Sequence, residues 1–108
     1  MLTTIKTAIE RRERLIIQYF PGRRIIEPHA LGYSAAGDIL LRAYQTEGES
    51  ASGEHEHWKL FRVDRLERVA SAFETFDGPR EGYKENDKAM KGGIISQLPL
   101  HNRKSEAS

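Results

Sequence analysis

The sequence predicts a mainly β domain: an N-terminal helix followed by a five-stranded SH3-like or Sm-like barrel. Three observations lead there. Apolar residues recur at helical spacing only over residues 2–12, as Leu2, Ile5, Ala8 and Ile9. From Arg14 to Phe76, β-branched and aromatic runs alternate with Pro- and Gly-containing turns. Finally, 108 residues with 38% apolar content fill one small core, and closing short strands into a barrel removes their exposed edges.

Each element has its own signal. The helix runs from Leu2 to Arg12, with Thr3 or Thr4 as ordinary capping candidates. The first strand is Arg14–Phe20, and alternation puts Leu15, Ile17 and Tyr19 on one face. Pro21-Gly22 makes the turn, since Pro presets φ and Gly accepts positive values. The second strand is Arg23–His29, where Pro28 marks a strand end, a bulge or an edge because it cannot donate to a ladder. Ile39–Tyr44 is the third strand. Residues 46–57 are polar, rich in Gly and Ser and without periodicity, so they form a loop. Trp58–Arg62 is the fourth strand, Val63–Leu66 a helical turn, and Arg68–Phe76 the fifth strand. The barrel domain is therefore expected over 1–76. A flexible tail is expected over 77–108, broken by Gly78-Pro79, Gly82, Gly92-Gly93 and Pro99, with disorder from Asn102 to Ser108. A brief helix within Lys84–Lys91 and a short apolar docking segment at Ile94, Ile95, Leu98 and Leu100 are open alternatives for parts of it.

Composition excludes several functions. Cysteine is absent, so there is no disulfide framework, thiol nucleophile or Cys-based zinc site. The longest aliphatic runs, Leu15-Ile16-Ile17 and Ile39-Leu40-Leu41, are far too short for a membrane span. The N-terminus lacks the apolar stretch of a secretion signal, so the expected compartment is cytoplasmic. The formal charge of +1 excludes a uniformly basic nucleic-acid coat. It also hides an asymmetry. Residues 1–76 hold 11 basic and 11 acidic side chains, and without the loop glutamates Glu47, Glu49, Glu54 and Glu56 the balance is 11 against 7, or +4. His55 and His57 would share a strand face, but no third ligand has matching spacing, so no metal or other cofactor is expected. His29 and His101 are isolated. No Gly-rich phosphate loop, nucleophile elbow or acid–base pair stands out, and an enzymatic role is not expected.

Several segments in order resemble the WYL domain family. They are Ile16-Ile17-Gln18-Tyr19 at the end of the first strand, Arg24-Ile25-Ile26-Glu27-Pro28, Leu31-Gly32-Tyr33, and Phe61-Arg62-Val63-Asp64-Arg65-Leu66, which is similar to the family's Phe-Arg-Leu-Asp-Arg-Ile segment. Where the family carries its naming Trp-Tyr-Leu, this sequence has Asp38-Ile39-Leu40, followed by Ala43-Tyr44. The resemblance implies a bacterial regulatory module, in transcription or defence, that binds nucleic acid or a nucleotide-like ligand through basic and aromatic residues on one barrel face.

With that resemblance, Arg24, Arg62 and Arg65 are the leading ligand-binding candidates, because a guanidinium fork matches two phosphate oxygens at once. Arg42 and Tyr44 are secondary, and Tyr19 and Tyr33 are candidates for the rim of the site. The competing reading pairs these arginines with Glu27, Asp38, Asp64 and Glu67 as ordinary strand-surface charges, and places most aromatics in the core. The acidic 46–57 loop is a candidate competitor for the ligand. A protein-interaction barrel, serving a larger regulator or a homodimer, is the alternative function.

Overall fold

A computed structural model of the protein describes residues 1–100. The expected disorder of Asn102–Ser108, and His101, lie outside the described residues. The chain is mainly β, and its order is α1 (Leu2–Arg11), β1 (Glu13–Tyr19), β2 (Gly22–Tyr33), β3 (Ile39–Gly48), β4 (His57–Arg62), a 3-10 turn (Val63–Arg65), β5 (Arg68–Thr75) and β6 (Gly93–Gln97). Helix α1 stops where Arg12 turns left-handed, at φ 56°. Its buried stripe is Ile5, Ala8 and Ile9, as the periodicity requires.

All pairings are antiparallel. Strands follow the order β4-β3-β2-β1-β5, and β6 adds to β2. Strand β2 organises the sheet because one of its edges has two successive partners. Residues Gly22–Ile26 pair with β1, and Ala30–Tyr33 pair with β6. Pro28 sits at the change of partner, where the ladder to β3 also shifts register between Pro28 and Ala30. Its missing N–H therefore falls at a break, which selects the bulge among the three sequence-level alternatives.

The sheet differs from the expected five-stranded closed barrel. It has six strands and is open: β4 and β5 are its ends, and no ladder joins them among the described residues. Strand pairing alone does not hide this core. Here α1 covers one face, and the chain after β5 covers part of the other. The segment read from composition as a flexible tail supplies β6 and buries Tyr83, Met90 and Leu98. Its turns looked like disorder because its apolar residues follow no single period. Lys84–Lys91 forms turns rather than a brief helix.

Paired residues share a sheet face, so the register defines two faces. Leu15, Ile17, Ile26, Leu31, Leu41 and Phe61 lie on the face that forms the main core with α1. Arg42, Tyr44, Trp58, Leu60 and Arg62 lie on the opposite face of β3 and β4. The one-residue bulge at His29 reverses parity along β2, so Ala30 and Gly32 belong to this second face while Arg24 and Ile26 belong to the first.

Candidate functional site

The seven sequence-selected residues divide between the two faces. Arg24, Tyr19 and Tyr33 lie on the core side. Arg24 is 4% exposed. Its Nε donates to Tyr19 O at 3.3 Å, Nη1 to Gln45 Oε1 at 3.2 Å, and Nη2 to Phe20 O at 2.5 Å. Its guanidinium also lies over the rings of Tyr19 and Phe61, at 5.2 and 5.3 Å from their centroids. Burial pulls the Arg24 pKa below its ordinary value. Arg24 is thus a strut inside the domain, contrary to its expected place in the ligand cluster. Strand alternation alone could not say which face the core would take. Tyr19 packs edge-on against Phe61, and its hydroxyl accepts the Arg62 N–H at 3.2 Å. Tyr33 is exposed at the end of β2, opposite Ile39.

The remaining four lie on or near the second face. Arg42 is opposite Leu60 and Arg62 is opposite Leu40, which makes the two arginines diagonal neighbours across β3 and β4. Arg62 donates to Asp64 at 2.9 and 3.2 Å and to Asp38 at 3.3 Å, the surface pairing that the competing reading described. Arg65 is exposed in the 3-10 turn and forms no salt bridge with any described residue. The Tyr44 ring lies beneath the Arg80 guanidinium at 4.4 Å and packs edge-on against Trp58. The structure brings Arg42, Tyr44 and Arg62 onto one face and keeps Arg24 apart from them.

Beside Arg42 the second face opens into a cleft of about 1080 Å³, large enough for a small-molecule ligand. Its other wall is residues 82–91. Arg42, Lys84, Lys88 and Lys91 against Glu85 and Asp87 give the lining four positive and two negative charges, or +2. Trp58, Tyr83, Met90 and Ile94 make an apolar floor. Two backbone anchors hold the wall. Trp58 Nε1 donates to Glu81 O at 3.1 Å, and Tyr83 OH donates to Leu98 O at 2.7 Å. Burial and the nearby Glu85 and Asp87 push the Tyr83 pKa up to about 12, so the hydroxyl keeps its proton. Arg42 itself is met by Asp87, with Nε to Oδ2 at 2.7 Å and Nη2 to Oδ1 at 3.2 Å. That bond holds the Asp87 pKa below the ordinary carboxylate value. Sequence reasoning missed the three lysines and Trp58 as site residues. The lysines lie in the supposed tail, and of the sequence-selected residues Arg42 alone lines the cleft.

A second cavity, of about 560 Å³, lies between β2 and residues 76–80. Glu27, 1% exposed, is clasped by Arg80 at 2.7 and 3.2 Å and by Arg14 at 2.9 Å. Next to it His29 is enclosed by the rings of Trp58, Phe76 and Tyr83. Its Nδ1 donates to Glu27 O at 2.8 Å and its Nε2 accepts the Arg80 N–H at 3.1 Å, which defines a neutral imidazole. Among the described residues no three metal-ligating side chains come together. His55 bonds to Gly48 O, and His57 faces Glu54.

Fold and cleft together describe a small, mainly β domain with an open cleft on one sheet face. Residues 1–71 match the model of the WYL domain, and the chain belongs to the WYL domain family. Domains of this family are generally regulatory and bind ligands. No curated protein and no solved structure matches the chain. The match spans α1 to β4 and enters β5, so residues 82–91, one wall of the cleft, lie outside it. Among the described residues no helix is long and apolar enough to cross a membrane.

Proposed function

We propose that this WYL domain is a non-enzymatic regulatory module that binds an anionic ligand, nucleotide-like or nucleic acid, on the β3–β4 face, in the cytoplasm of a bacterium and in transcription control or defence. One observation carries the reading: Arg42 and three lysines line an open cleft whose apolar floor includes the rings of Trp58 and Tyr83. Cations of this kind match phosphate oxygens, and an aromatic floor matches a base. A mononucleotide would occupy the cleft. A longer strand would continue along the same face to Arg62 and Arg65.

Trp58 is the chain's one tryptophan and lines the cleft, so its fluorescence reports binding there. Titration with a single-stranded oligonucleotide is expected to change that signal, with affinity falling steeply as salt rises. Arg42→Ala and Arg62→Ala are each expected to weaken binding several-fold. Binding that both substitutions leave intact, or none at low salt, refutes the reading. A protein-interaction role is favoured by a different observation: Phe20 and Phe73 are 78% and 93% exposed. Loss of self-association or partner capture in Phe73→Ser, with oligonucleotide binding absent in the parent chain, would select that role.

A further inference from the structure

The Arg42–Asp87 pair has a feature that a purely structural salt bridge does not need. It joins the two walls of the cleft, Arg42 from β3 and Asp87 from residues 82–91. Asp87 presents both oxygens to Nε and Nη2 of Arg42, the arrangement in which a phosphate or carboxylate group meets the same fork. Arg42 remains 29% exposed at the side chain, whereas Asp87 is 11% exposed. The carboxylate comes from the wall formed by residues 82–91 and leaves part of the guanidinium open. That wall is all turn, with Asn86 in the left-handed region at φ 57°. Around Asp87 it is held by hydrogen bonds rather than by a helix or strand: Met90 N donates to Asp87 O at 2.9 Å, Gln97 Nε2 to Asn86 Oδ1 at 3.3 Å, and Leu100 N to Glu85 Oε2 at 3.0 Å. Asn86 N donates to Gln97 Oε1 at 2.9 Å, and Ala89 N donates to Asp87 Oδ1 at 2.9 Å. The same turns carry Lys84, Lys88 and Lys91, so displacing Asp87 frees the Arg42 guanidinium on the opposite wall for a ligand.

We propose that Asp87 is a built-in competitor for the ligand: its carboxylate occupies the Arg42 position in the empty cleft, and a ligand must carry an anionic group with two coplanar oxygens to displace it and shift residues 84–91. This rests on the cleft being the ligand site. It gives Asp87 the role that the sequence suggested for the acidic 46–57 loop. That loop is held instead at the far end of β3, where Gln45 Nε2 donates to Glu49 O and His55 O.

The test is Trp58 fluorescence titration with adenosine 5′-monophosphate, with neutral adenosine as the control. Asp87→Asn removes the charge and keeps an acceptor for the Ala89 N–H; Asp87→Ser does the same with a hydroxyl. Both are expected to bind the nucleotide about tenfold more tightly than the parent chain, and Arg42→Gln to lose binding. In the parent chain the nucleotide, but not adenosine, is expected to speed hydrogen exchange at the Ala89 amide. If the parent binds while the Asp87 variants show equal or lower affinity, or Ala89 exchange does not move, the competitor is refuted and the cleft remains the site. If no chain binds the nucleotide, the cleft reading itself fails and takes the competitor with it.

Discussion

Glu27 shows how one buried charge is settled by opposing effects. Burial pushes its carboxyl pKa up, and the bonds from Arg80 and Arg14 pull it down; the bonds win, and the group stays ionised. Two arginines sharing one carboxylate also fasten residues 76–80 to β2. His29 beside it titrates in the other chemistry but with the same linkage sign. Burial pulls its pKa below the ordinary value of 6.5. Below about pH 6.5 the unfolded chain gains a proton that the folded chain refuses, so stability present above that pH is lost as pH falls toward the folded value. The urea midpoint is accordingly expected to be lower at pH 5.5 than at pH 7.5, and His29→Gln to reduce that difference. Equal midpoints for the parent chain at the two pH values would show that the buried imidazole does not govern acid stability.

At the scale of elements, the crossing of β2 and β6 fixes where the cleft can form. Gly32 lies at this crossing. A Cβ there would come within 2.6 Å of Gly93 O and 2.9 Å of Met90 Sδ, and the backbone oxygen has no flexible side chain to yield. Gly32→Ala is expected to cost about 2 kcal/mol of stability, read as a lower urea midpoint, and to weaken ligand binding by pushing Met90 and Ile94 outward. An unchanged midpoint would mean that β6 is not held against β2 at this point. Most of this framework was legible in the sequence. The helix, the first five strands and the 3-10 turn all announced themselves through periodicity, Pro-Gly and β-branched runs. Strand β6 did not, because Gly93-Ile94-Ile95-Ser96-Gln97 is short and its partners in β2 are 60 to 67 residues away. The site was half legible for a related reason. Alternation puts Arg42 and Tyr44 on one face of β3, but the parity reversal at His29 and the turn wall carrying Asp87 depend on long-range packing.

At the scale of the whole molecule, the family match and the folded unit do not end together. The match stops at residue 71, in the middle of β5, while the described fold continues through Leu98. A chain cut after Phe76 would retain α1 and β1–β5. It would leave Ala30 and Leu31 on an unpaired edge of β2, strip Tyr83 and Met90 from the second face, and take the buried Leu98 from the core. It would also remove Arg80 from Glu27, the Arg80 N–H from His29, and Asp87 from Arg42. Losing these partners together costs more than any single one, because Glu27 is buried, retains only the Arg14 bond, and burying its charge is expensive when partners are missing. The 1–76 chain is therefore expected to lose cooperative urea unfolding, followed by circular dichroism, while the full chain unfolds in one transition. Restoring residues 77–100 as a separate peptide is expected to recover part of the ordered signal. A 1–76 chain that unfolds cooperatively with the midpoint of the full chain would place the domain boundary at Phe76. The later segment would then be an addition to the cleft rather than part of the core.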